Sequence, residues 1–236
     1  AAWKGSDHDL AMQVADETTV LGNFDGARLR HFGVTSEFFQ RDGKFMVRTD
    51  GPDGRLTDYP VAYAFGLTPL QQYLVELPGG RTQALSVAWD SRPKKEGGQR
   101  WFHLYPGERV DHRDVLHWTK LSQNWNSQCA ECHSTNLRKG FNPQTNSYKT
   151  TWSELDVSCE ACHGPGSKHV EAGGGRGKFV LNPGKDATAC FQCHLDTHAE
   201  FSLPQHHPVL EGKMNCVQCH DPHGADVTMK VSRILA

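Results

Sequence analysis

The stretch "CAECHSTN", Cys129 to Asn136, sets two cysteines three positions apart with a histidine directly behind the second. That pattern fits a zinc knuckle, half of a disulfide framework, a redox-active dithiol or a haem attachment site. The rest of the chain separates these readings. All eight cysteines belong to copies of one frame: Cys129, Cys132 and His133; Cys159, Cys162 and His163; Cys190, Cys193 and His194; Cys216, Cys219 and His220. The inner residues vary while the frame stays fixed. A disulfide network has no need of a histidine after every second cysteine, and a thioredoxin-like site does not occur four times over. Zinc would draw four ligands from two such half-motifs and has no use for a histidine at that place. Covalent haem uses all three residues at once. On a helical turn, positions i and i+3 share a face and can both form thioethers to vinyl groups, while i+4 turns its imidazole to the iron. The repeat therefore predicts four covalently attached haem c groups, with His133, His163, His194 and His220 as proximal ligands.

A chain of 236 residues, 37% hydrophobic, suits one or two rather polar domains. No apolar run approaches the ~18 residues of a membrane span. The start, "AAWKGSDHDLAM", has no apolar signal segment and reads as a mature terminus. Thioether attachment of haem belongs outside the cytoplasm, so the expectation is a periplasmic or extracellular protein whose leader has been removed. A formal charge of −2 gives no case for nucleic acid or an anionic membrane as partner. Haem propionates would add negative charge, which favours basic or neutral redox proteins as partners.

The cysteines also divide the chain, and the expected fold class is α+β. Residues 1–125 read as a small β-rich region, and residues 126–236 as a haem-binding region of short helices and many loops. "KFMVRT" (44–49) and "RLTDYPVAYAF" (55–65) flank the turn Asp50-Gly-Pro-Asp-Gly54, which predicts a hairpin. "QQYLVEL" (71–77) and "RTQALSVAW" (81–89) flank Pro78-Gly79-Gly80 in the same way, and "RWFHLY" (100–105) adds a strand. Phe45, Val47, Leu74, Leu77, Leu85, Val87 and Trp101 are its expected core. The cysteine-bearing stretch is too short to wrap each macrocycle in a fold of its own, so the haems themselves are expected to form much of its core.

Of the 14 histidines, ten lie outside the motifs: His8, His31, His103, His112, His117, His169, His198, His206, His207 and His223. They are more than enough to supply a second axial ligand to four irons. Met12, Met46, Met214 and Met229 read as scattered packing residues rather than ligands.

Three stretches resemble known families. "FSLPQHHPVLEGKMNCVQCHDPHG" (201–224) is similar to the repeat of periplasmic multihaem electron carriers, a likeness that implies one of His206 and His207, together with His223, as distal ligands. "CHGPGSKHV" (162–170) is similar to a segment of cytochrome c-554-like multihaem proteins and implies His169 as ligand to a neighbouring haem. "PLQQYLVELPGGRTQALSVAWDSRPKKEGGQRWFHLYP" with "LHWTKLSQNWNSQCAECHSTNLRKG" resembles the cytochrome region of bacterial proteins that often carry tetratricopeptide repeats downstream. That likeness, over about residues 3–170, implies His117 and, through the segment from Trp3 to His8, also His8. The chain departs from this family in lacking the tetratricopeptide repeats and the haem motif that often precedes the tryptophan.

Two functions follow. With both faces of every iron ligated by histidine, the chain is an electron carrier without substrate chemistry of its own. With one iron left open, it is an oxidoreductase acting on a nitrogen or sulfur oxyanion. His8 near the start of the chain leaves a further expectation: if it capped an iron of the next subunit, head-to-tail contacts would build a homopolymeric filament with haems of neighbouring subunits as partners.

Overall fold

A computed structural model describes residues 3–175, 177–182, 184 and 186–224; Met229 lies outside them. The chain divides into two compact units. The first comprises Leu10–His133 and Leu137–Trp152. It is built on an eight-stranded antiparallel sheet: β1 (Met12–Val14), β2 (Ala27–His31), β3 (Val34–Arg41), β4 (Lys44–Asp50), β5 (Leu56–Phe65), β6 (Leu70–Leu77), β7 (Arg81–Asp90) and β8 (Arg100–His103). Strands β2 to β8 follow one another in a meander, and β1 pairs with β5.

Both hairpins expected from Gly and Pro punctuation form, β4 with β5 and β6 with β7. Gly80 shows why the second turn is spelled as it is: its φ is +70°, and a Cβ there would collide with the carbonyl of Tyr148. The end strands approach each other, so the sheet is nearly closed. His31 on β2 stacks on His103 of β8 at 3.6 Å, and Phe38 on β3 stacks on Trp101 of β8 at 3.5 Å. Curling in this way covers edges that would otherwise offer unpaired backbone groups.

Inside the curl lies a core of Phe24, Phe38, Phe45, Val47, Tyr73, Val75, Leu85, Val87, Trp89 and Trp101. Phe24 meets Phe38, Phe45, Tyr73 and Trp101 edge to face, with centroids 5.1 to 5.8 Å apart. Such contacts add ~0.5–1.5 kcal/mol each beyond area burial. Of the core expected from sequence, Leu77 alone is half-buried; the other six are fully buried. Two short helices, α1 (Trp125–Gln128) and α2 (Ala130–His133), and a small hairpin of β9 (Phe141–Asn142) and β10 (Ser147–Tyr148) complete this unit.

The second unit gathers the described residues of Ala1–Asp9, Ser134–Asn136 and Ser153–Ala236. Its helices are α3 (Cys159–His163), α4 (Ser167–Glu171), α5 (Thr188–Phe191) and α6 (Leu195–Phe201). Its loops are rich in Gly, Pro and Asn. Among the described residues no helix is long and apolar enough to cross a membrane.

Candidate haem sites

One backbone device recurs at the cysteine motifs. In the first, the amides of Cys132 and His133 both donate to the carbonyl of Cys129, at 3.1 and 3.2 Å. Cys193 and His194 do the same to Cys190, at 3.2 and 3.0 Å, and Cys219 and His220 to Cys216, at 3.1 and 2.8 Å. Cys159 to His163 form α3 itself. Each motif is thus one helical turn, which brings both thiols and the imidazole to one side.

The first motif belongs to the β unit, and a buried amide network sets its place. The Thr82 amide donates to Oδ1 of Asn126 at 2.7 Å, and Asn126 Nδ2 donates to the Gly80 carbonyl and to Thr150 Oγ1. Asn124 Nδ2 donates to Gln83 Oε1 at 2.7 Å, and Gln83 Nε2 donates to the carbonyls of Trp118 and Lys120. These bonds fasten α1 along β7, and α2 follows directly. Beyond them His133 donates from Nδ1 to the Ala11 carbonyl at 3.3 Å, with the ring of Phe65 edge-on at 5.4 Å.

The other three motifs belong to the second unit. His163 and Leu181 clasp each other: His163 Nδ1 donates to the Leu181 carbonyl at 3.0 Å, and the Leu181 amide donates to the His163 carbonyl at 2.9 Å. Glu160 shapes the glycine turn that follows, accepting from the Gly166 amide and from Asn136 Nδ2, both at 2.7 Å. Those two donors hold its carboxyl below the usual glutamate range. From that turn α4 carries His169, whose Nδ1 donates to the Lys178 carbonyl at 2.8 Å.

The segment Trp3–His8 owes its residues to anchoring. Trp3 Nε1 donates to the Val157 carbonyl at 3.2 Å, and the Val157 amide donates back to the His8 carbonyl. Ser6, buried, accepts from the Asp9 amide. His8 is thereby held with Nδ1 donating to the Pro222 carbonyl at 3.1 Å.

Two ring pairs join a motif histidine to one outside the motifs. His163 and His223 have centroids 6.0 Å apart and planes within 8°. His194 and His8 have centroids 6.2 Å apart and planes at 81°. Burial, with His8 and His220 nearby, pushes His194 down.

The remaining candidates lie elsewhere. His117 is buried in the β unit, its Nδ1 bonded to Thr119 Oγ1 at 2.8 Å and its Nε2 to Asp50 Oδ2 at 3.2 Å. It lines a cavity of about 30 Å³ with His31 and His103, apart from any cysteine motif. His206 bonds through Nδ1 to the Leu203 carbonyl and through Nε2 to Glu211. His207 has no ring hydrogen bond among the described residues, and both line an open cleft of about 560 Å³ with Glu200, Phe201, Leu203 and Gln205.

The residues fit covalent haem on three counts. Nδ1 of His8, His133, His163 and His169 is held by a backbone carbonyl, which fixes the tautomer and leaves Nε2 for a metal. Burial pushes the Cys129 and Cys190 thiols up to about 11, unlike the thiolates of a redox dithiol. In the second unit Val170, Phe179, Leu181, Leu195, Leu203 and Leu210 are each 44% or more exposed, while Ala187 and Val209 are the buried apolar residues among those described. So much open apolar surface beside so little core calls for an apolar group to cover it. The Cys216 and Cys162 thiols lie near enough to Cys190 to add to the upward push on its thiol.

The supporting carbonyls of Ala11, Leu181, Lys178 and Pro222 were invisible to sequence reasoning, because every residue carries one. The Trp3 and Ser6 anchors do have a signal in the segment that they frame.

Comparison with known proteins agrees with this geometry. Residues 101–164 match the family described as cytochrome c554 and c-prime, and residues 206–231 match the doubled CXXCH motif. With the four repeated motifs, these matches make the chain a multihaem c-type cytochrome. It is similar to multiheme cytochrome MtrA of Shewanella baltica (strain OS185), 28% identical over 107 residues. That match covers 45% of this chain and 28% of the relative's length. No solved structure matches.

Proposed function

We propose that the chain is a tetrahaem electron carrier, in which His133, His163, His194 and His220 are proximal ligands and histidines outside the motifs close the opposite faces. Bound haem would supply irons that accept and release one electron at a time. The chain's own residues would hold those groups by two thiols each, orient the imidazoles of His133 and His163 through backbone carbonyls, and offer the exposed apolar side chains of the second unit to the macrocycles bound there.

The observation that carries this reading is the one helical turn formed by all four motifs. The influence of the Cys216 and Cys162 thiols on Cys190 supports close packing of three of the groups, which is what transfer from edge to edge needs.

Compartment and partners follow from the chemistry. Thioether attachment, which belongs outside the cytoplasm, supports the periplasm or the cell exterior as compartment and other redox proteins as partners. His8 lies against His194 of its own chain, which supports a ligand within the chain over a cap on a neighbour's iron; the filament therefore has no separate support in ligand geometry.

Optical titration tests the reading. Ferric protein without high-spin iron, which binds no carbon monoxide once reduced, is expected of a carrier. Stoichiometric carbon monoxide binding would replace it with an oxidoreductase acting on a nitrogen or sulfur oxyanion at one open iron.

A further inference from the structure

The two ring pairs of the second unit carry more information than ligation alone. Imidazole nitrogens bound on opposite faces of one metal, each about 2 Å from it, put their ring centres roughly 6 Å apart. The 6.0 Å of His163 and His223 and the 6.2 Å of His194 and His8 meet that requirement. Offset stacking of free rings also covers this distance. The Nδ1 bonds suit axial ligation: His163 gives its Nδ1 to Leu181 and His8 gives its Nδ1 to Pro222, so each pair has one ring anchored with Nε2 left over for a metal.

We infer that His223 is the second axial ligand of the haem held by Cys159, Cys162 and His163, and His8 that of the haem held by Cys190, Cys193 and His194, with near-coplanar imidazoles in the first and near-perpendicular imidazoles in the second. This assignment rests on the tetrahaem reading and adds to it the partner and the ring angle at two of the irons. The Asp221–His223 segment ties the two sites, since His223 faces His163 while the Pro222 carbonyl orients His8.

Ring angle has a magnetic consequence. Coplanar imidazoles donate π-density into the same iron d-orbital, split the dπ pair and give a rhombic low-spin spectrum. Perpendicular imidazoles donate into both orbitals equally, leave the pair nearly degenerate and give a strongly anisotropic spectrum with a large maximal g value. The parallel rings at 8° belong to the first kind and the crossed rings at 81° to the second.

The experiment is electron paramagnetic resonance of the ferric holoprotein, with haem content counted by intact mass in every sample. Wild type should show both kinds of low-spin signal. His8→Ala should keep all its haems, lose one large-g signal and gain one high-spin iron; His223→Ala should instead lose one rhombic signal. Imidazole added to a His8→Gly variant should return its iron to low spin, which guards against a variant that has merely lost its fold. Variants with full haem content and unchanged low-spin signals would overturn the assignment and leave the tetrahaem reading standing, as would loss of a rhombic signal on changing His8. A wild-type protein without covalent haem would end both, and the mass tells the cases apart.

Discussion

Asp156 and His103 show how single residues in the two units respond to pH in opposite senses. Burial, with Asp9 and Glu154 nearby, pushes the Asp156 carboxyl up to about 6, and its Oδ1 is buried with no hydrogen-bond partner among the described residues. Its folded pKa stands above the unfolded one near 3.8, so the native state gains by holding the proton. Stability is therefore lost as pH rises from about 4 to 6 and stays reduced above. Asp156→Asn should raise the thermal midpoint at pH 7 and leave it unchanged at pH 4. His103 runs the other way: burial against His31 pushes it down to about 4 from 6.5. Its contribution is complete above pH 6.5 and is lost as pH falls from there towards 4. His103→Gln should flatten that acid limb, read by thermal melts across the same range. The histidine motifs were legible in sequence at once, since cysteine and histidine spacing states its chemistry. Which histidine faces which was not legible, because His8 and His194 or His163 and His223 meet through the folded chain rather than along it.

At the scale of elements, α1 and α2 depend on β7 through Asn124, Asn126 and Gln83. Removing the Asn126 side chain leaves the buried Thr82 amide without its partner. Such an orphan costs ~1–3 kcal/mol. Asn126→Ala should lower denaturant stability of the β unit by that order and reduce haem content at Cys129 and Cys132, with the other motifs fully loaded; peptide mapping of haem attachment reads this out. Hairpins β4/β5 and β6/β7 could be read from Asp50 to Gly54 and from Pro78 to Gly80. The turn between β3 and β4 carried as strong a signal in Asp42-Gly43, both with positive φ, and sequence reading passed over it. Strand β2 is short and polar, and its turn at Phe32-Gly33 puts a phenylalanine at φ +42°, which no turn rule anticipates.

On the scale of the whole molecule, the two units differ in what holds them folded. The β unit buries its own aromatic core, whereas the second fully buries just Ala187 and Val209 of its described apolar residues and leaves six large ones exposed. Protein made without haem attachment should therefore keep a protected β unit and lose protection over the second, as hydrogen exchange resolved by peptide would reveal. Sequence indicated this contrast through the crowding of motifs into a run of glycine, proline and asparagine. The curl that brings β2 to β8 was not legible, because closure is a property of sheet twist and of contacts such as Phe38 on Trp101. The central claim is that each of the four turns holds a haem by both its thiols. Intact mass of the denatured mature protein tests it most directly. The account predicts the polypeptide plus four haem masses, retained through denaturation. A mass lacking one or more of them in fully matured protein, or a colourless protein carrying zinc, would contradict it.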